Sequence, residues 1–107
     1  MFNSFFKKNE NDLDGYHFRK NFQNTDNAIL VDVRTPDEYN SGTILGSINI
    51  DFLGTDFQAK INQLDPDKSY FLFCRSGNRS GSAAKIMEGL GLNSYNLVGG
   101  IGAWPEM

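Results

Sequence analysis

Four short apolar runs punctuate the chain: Ala28-Ile29-Leu30-Val31-Asp32-Val33, Ser47-Ile48-Asn49-Ile50, Tyr70-Phe71-Leu72-Phe73 and Tyr95-Asn96-Leu97-Val98. Runs of this length, bounded by turn residues, predict strands. The stretches between them carry helical spacing. Thr35-Pro36-Asp37-Glu38 is a capping box with proline at the first helical position, which predicts a short helix through Tyr39. Leu53, Phe57, Ile61 and Leu64 share one helical face that ends at the turn Asp65-Pro66-Asp67. Ala83, Ile86, Met87 and Leu90 form a second stripe, with Gly91 as its C-cap. Ahead of the first strand, Tyr16, Phe18 and Phe22 line a first helix that ends near Asn24-Thr25-Asp26-Asn27.

Strands alternating with helices predict a small three-layer α/β domain: a central, mostly parallel sheet, helices on both faces, and functional loops at the C-terminal strand ends. A length of 107 residues fits one domain, 1–107, able to fold without metal or disulfide support. Residues 1–12 are expected to form a flexible N-terminal extension whose Phe2, Phe5 and Phe6 pack on the domain. With 39% hydrophobic and 13% aromatic residues the chain is globular, and no apolar run reaches the ~20 residues of a membrane span. The apolar residues of the start precede Lys7 and Lys8, the reverse of a secretory signal, so the expected location is the cytoplasm. Ten basic against thirteen acidic residues, net charge −3, supply no basic face for nucleic acid.

Chemistry concentrates at Cys74, the one cysteine of the chain, which excludes an internal disulfide. It lies where the third apolar run meets the polar loop Arg75-Ser76-Gly77-Asn78-Arg79-Ser80, which opens onto a helix. A thiolate at a strand's C-terminal end, facing a helix N-terminus and flanked by two arginines, has its pKa lowered from about 8.5 into the range of roughly 3.5 to 7.5. A buried structural cysteine does not need a following segment without a bulky apolar residue. An anion cradle of backbone N–H groups does. The loop holds two arginines and no acid, so an anion within a Debye length of about 8 Å meets a positive pocket.

Leu30-Val31-Asp32-Val33-Arg34-Thr35-Pro36-Asp37-Glu38-Tyr39, Gly46-Ser47-Ile48-Asn49-Ile50, Phe73-Cys74 with its loop to Ser80, and Asn96-Leu97-Val98-Gly99-Gly100-Ile101-Gly102-Ala103-Trp104 together resemble the rhodanese family of sulfurtransferases in order and spacing, over residues 28–104. The resemblance implies a single rhodanese-like domain whose cysteine takes a sulfane sulfur from a small anionic donor such as thiosulfate, holds it as a persulfide and passes it to a thiophilic acceptor: cyanide, a thiol or a partner protein. It implies no metal and no cofactor beyond that covalent intermediate. The Cys74-x4-Arg79 loop is one residue shorter than the Cys-x5-Arg loop of the related cysteine phosphatases. A shorter ring of donors suits a persulfide better than a phosphoryl group, which disfavours the phosphatase or arsenate-reductase alternative.

On this reading Cys74 is the nucleophile and needs no general base. Arg75 and Arg79 stabilise the thiolate and attract the donor, though Arg79 could instead turn inward to a carboxylate. Backbone N–H groups from Arg75 through Ser80 hold the persulfide, Gly77 supplies a conformation other residues resist, Ser80 caps the following helix, and Ser76 and Asn78 offer side-chain donors. His17, far off in the N-terminal segment, reads as a solvated helix residue. Asp32 and Arg34 read as a pair that fixes loops, and Trp104 as a packing residue. Where many family members carry Gly-His-Ile-Pro-Gly, this chain has Gly42-Thr43-Ile44-Leu45-Gly46, a departure that bears on loop rigidity rather than on the nucleophile. A second function class stays open beside the enzyme: a persulfide carrier or docking module serving a protein donor and acceptor.

Overall fold

A computed structural model describes residues 10–105; the expected packing of Phe2, Phe5 and Phe6 falls outside them. The described chain runs β1 (Asp12–Leu13), α1 (Gly15–Asn24), β2 (Ala28–Asp32), α2 (Pro36–Ser41), β3 (Ile48–Asn49), α3 (Phe57–Ile61), β4 (Ser69–Phe73), α4 (Asn78–Gly89), β5 (Asn93–Leu97) and a 3-10 turn at Ile101–Ala103. The sheet has the order β1-β5-β4-β2-β3, and every pair is parallel. All C-terminal strand ends therefore gather on one rim. The α/β class and the four expected strands are borne out. β1 is an addition: residue 12, expected in a flexible extension, begins an edge strand in register with Asn96 and Leu97.

Alternation along the central strands sorts the core into two layers. Tyr70, Leu72 and Cys74 join Val31 and Val33 against Phe57 and Ile61 of α3 and Ala83, Ala84 and Met87 of α4. Phe71 and Phe73 join Leu30 and Leu97 against Phe18 of α1, with Phe22 and Trp104 packed beside them. Phe18 meets Phe71 edge to face at a centroid distance of 5.4 Å and Trp104 at 6.1 Å, so Trp104 is a half-buried residue packed against the core of the α1 layer. Its indole also lies under the Arg19 guanidinium.

Two helical expectations are corrected. The stripe from Leu53 to Leu64 contains only a short helix, because the Asp51 carboxylate accepts from the Leu53 N–H and Gly54 N–H bonds the Asp51 carbonyl, making a turn where the first helical coil should stand. On α4 the buried face is Ser80, Ala83, Ala84 and Met87, leaving Ile86 and Leu90 at its exposed rim. Gly91 does end the helix, at φ +85°, with its N–H on the Glu88 carbonyl and the Leu92 N–H on the Met87 carbonyl, a Schellman closure.

Candidate active site

The period of β4 puts the Cys74 side chain on the α4 face of the sheet, one residue past the strand's end and under the first turn of the helix. Its sulfur is wholly buried. The Gly77 N–H donates to Sγ at 3.0 Å, the Ser80 N–H at 3.4 Å, and the Ser80 hydroxyl lies at 3.3 Å. Burial pushes the Cys74 thiol up, but the hydrogen bonds from the Ser80 hydroxyl and from the Ser80, Gly77 and Ser76 N–H groups outweigh it and hold the thiol below its ordinary value. The helix N-terminus adds its positive end to the same point.

Gly77 makes the cradle possible. It sits at φ +100°, and a Cβ there would press on the Gly99 N–H and the Leu97 carbonyl. Gly77 is also the N-cap of α4, so Ser80, expected as the cap, stands inside the first turn instead. Its side chain turns inward to the sulfur and to Asn96 rather than back along the helix. The loop is clamped from behind by the C-terminal segment: the Ile101 N–H bonds the Cys74 carbonyl at 2.8 Å, and a Cβ on Gly100 would run into the Arg75 carbonyl.

The polar residues of the loop divide. Ser76 and Asn78 are exposed, and their side chains make no hydrogen bond with the described residues. They border a cleft of about 910 Å³ that Leu13, His17, Lys85 and Asn96 also line. Arg75 is exposed and makes no ion pair with the described residues, whereas Arg79 is half-buried and closes on Glu38 of α2. His17 lies on the solvent side of α1, its Nδ1 2.9 Å from Asp14.

Asp32 and Arg34 organise the neighbouring loop. Arg34 holds the fully buried Asp32 carboxylate through Nε and Nη2 and also reaches the Gly42 carbonyl at 2.6 Å. Thr43, at the position of the family's histidine, donates to Asp32 Oδ2 at 2.8 Å, and Asn49 Nδ2 donates to the carbonyls of Asp32 and Arg34. Sequence reading missed Asn96 as a neighbour of the site. The Tyr95-Asn96-Leu97-Val98 run marks it only as a strand residue, and a polar side chain buried in such a run was the available signal.

The rhodanese-like domain family model matches residues 17–107. YqhL of Bacillus subtilis is 38% identical over 78 residues, covering 72% of this chain and 60% of YqhL, so the chain spans about three fifths of that relative. The thiosulfate sulfurtransferase GlpE of Pseudomonas syringae pv. syringae is 38% identical over 79 residues, 72% of each chain. The crystal structure of a rhodanese-related protein from Thermoplasma volcanium superposes with a TM-score of 0.75 at 33% identity, covering 87% of this chain and 88% of that one. With a parallel sheet of this order, a cysteine seated in a ring of N–H donors at its rim, and the family match across most of its length, the chain belongs to the rhodanese-like domains, a family of sulfurtransferases.

Proposed function

We propose that this domain takes a sulfane sulfur from a small anionic donor such as thiosulfate onto Cys74 and passes it on from the resulting persulfide. The observation that carries the reading is the convergence of the Gly77 N–H, the Ser80 N–H and the Ser80 hydroxyl on Sγ, which supports a thiolate at neutral pH without a general base. In the first half-reaction the Cys74 thiolate attacks the outer sulfur of thiosulfate, the S–S bond of the donor breaks and sulfite leaves with its electron pair. In the second, a thiophilic acceptor such as cyanide or a thiol attacks the outer persulfide sulfur and Cys74 leaves as the thiolate. No proton need move in the transfer to cyanide, and no cofactor beyond the persulfide takes part.

Burial of Sγ favours a small donor over a protein persulfide, because a thiosulfate ion needs far less displacement of the Arg75–Asn78 loop than a second polypeptide does. A lone free cysteine working as a nucleophile suits a reducing compartment, in keeping with the cytoplasm. The test is intact-mass spectrometry after exposure to thiosulfate, with Cys74→Ser alongside. A gain of about 32 Da on the wild type alone, removed by cyanide or a reducing thiol, is the expected result. Absence of the adduct overturns thiosulfate as donor.

A further inference from the structure

The Ser80 hydroxyl stands between two acceptors. Its oxygen lies 3.3 Å from Cys74 Sγ and 2.5 Å from Asn96 Oδ1, and both Ser80 and Asn96 are buried. A hydroxyl has one proton to give. The direction of the Asn96 amide is fixed by its other side: Nδ2 donates to Asp12 Oδ1 at 2.9 Å and faces the Gly77 carbonyl at 3.4 Å. Turning the amide over would set its oxygen against a carboxylate and a carbonyl, so the oxygen faces Ser80. The parallel pairing of β1 with β5 is what places Asp12 beside Asn96.

We propose that Asn96 is a positioning residue acting on Cys74 through Ser80: its amide oxygen competes with the sulfur for the single Ser80 proton, and Asp12 holds the amide the way round that makes it compete. The inference rests on the reading of Cys74 as the nucleophile. In the thiol form, S–H donates to the Ser80 oxygen and the Ser80 proton goes to Asn96, so each group is satisfied. In the thiolate form the sulfur accepts only, and drawing the Ser80 proton to it leaves two oxygens facing each other without a hydrogen between them. Asn96 therefore opposes the thiolate that Ser80 and the backbone favour, and keeps it more nucleophilic than an unopposed cradle would, since nucleophilicity falls as a thiol's pKa falls. Once sulfur is loaded, the charge moves to the outer sulfur and the Ser80 proton returns to Asn96, so the same contact favours loading.

The titratable and charged groups around this hydrogen-bond chain are Arg79 of α4 with Glu38 of α2, Asp51 beyond β3, Arg75 of the loop and, lining the cleft, Asp12, Asp14, His17 and Lys85 of α4. A titration must separate their fields from the hydrogen-bond effect, which the following cycle does.

The test is thiolate ultraviolet absorbance against pH, with Cys74→Ser as blank, for the wild type, Asn96→Leu, Ser80→Ala and the double variant. Asn96→Leu is expected to move the midpoint down by about half a unit or more and Ser80→Ala to move it up, opposite signs that a general loosening of the loop would not give. The double variant should superimpose on Ser80→Ala, because without the hydroxyl Asn96 has nothing to withhold. An unchanged or raised midpoint in Asn96→Leu, or a downward shift that persists in the double variant, overturns the proposal. Should Asn96→Leu not fold, Asp12→Ala on the two Ser80 backgrounds replaces it: loss of the Asp12 charge acts in both, whereas release of the amide acts only where the hydroxyl is present. Equal shifts in both backgrounds overturn the proposal. The titration uses no sulfur donor, so it can fail while persulfide formation stands, and the reverse.

Discussion

Arg79 closes a two-pronged contact on Glu38, Nη1 to Oε1 at 2.8 Å and Nη2 to Oε2 at 3.1 Å, across 41 residues of chain. The same carboxylate completes the capping box of α2, accepting from the Thr35 N–H at 3.0 Å. One glutamate thus starts α2 and fastens it to the first turn of α4, beside the cysteine loop.

Replacing Arg79 by glutamine should cost stability with a marked acid dependence. The Arg79 guanidinium, then the Thr35 N–H, hold the Glu38 carboxyl down at about 2 from an ordinary 4.5. A lowered carboxylate pKa contributes stability above the unfolded value that is lost as pH falls through the folded one. The gap between wild type and Arg79→Gln in urea unfolding should therefore be full above about pH 5 and close as the pH approaches 2. At neutral pH it should be about 1 kcal/mol and shrink with salt, because the pair is partly solvated.

Thr43→Val removes a hydroxyl while keeping the side chain's shape. Asp32 Oδ2 loses one of its three donors, keeping Arg34 Nε and Nη2, and Ser47 Oγ loses a partner, at a site where the carboxylate is wholly buried. A loss of about 1–3 kcal/mol is expected, read as a lower denaturant midpoint with unchanged slope. The threonine in place of the family's histidine thus supports the Gly42–Gly46 loop, and persulfide formation should survive the substitution.

Burial of the 70–73 strand on both faces makes it a continuous apolar run, which with the three other runs made the sheet class readable, and the loop after Cys74 stood out through its small residues and its two arginines without an acid. Three things were less visible. β1 is two residues long, too short for any period to register, and exists because the Val98 and Asn96 N–H groups find the Leu13 and Asn11 carbonyls. Ser80 reads as a helix cap, but capping belongs to a glycine at positive φ, a choice made by the close approach of Gly99 and Leu97. Arg79 and Glu38 are far apart in sequence, and only the adjacency of β2 and β4 brings α2 to the start of α4.

Gly100→Ala should disable the loop without touching the cysteine. Gly100 stands at φ +80°, and its Cα faces the Arg75 carbonyl and Ser76 nitrogen so closely that a Cβ has no room. The C-terminal segment must withdraw, taking with it the Ile101 N–H that holds the Cys74 carbonyl. More than about 2 kcal/mol of destabilisation is expected, together with faster alkylation of the now exposed thiol. A variant with wild-type stability and a protected cysteine would contradict this packing.

Arg75 is the loop cation left available to an incoming anion, since Arg79 is committed to Glu38 and Arg75 makes no ion pair among the described residues. An exposed charge beside the nucleophile acts on encounter more than on the bound sulfur, so its effect belongs in the rate of persulfide loading at low thiosulfate. Arg75→Gln should slow that loading several-fold at low ionic strength, with the difference fading as the Debye length falls below about 8 Å. The Cys74 thiolate midpoint should stay in place, because the groups that set it are the Ser80 hydroxyl and the N–H groups of Ser80, Gly77 and Ser76. Stopped-flow loading at two salt concentrations, paired with a thiolate titration, separates the two effects. A salt-independent loss of rate, or a raised midpoint, would mean that Arg75 works by holding the loop rather than by drawing in the anion.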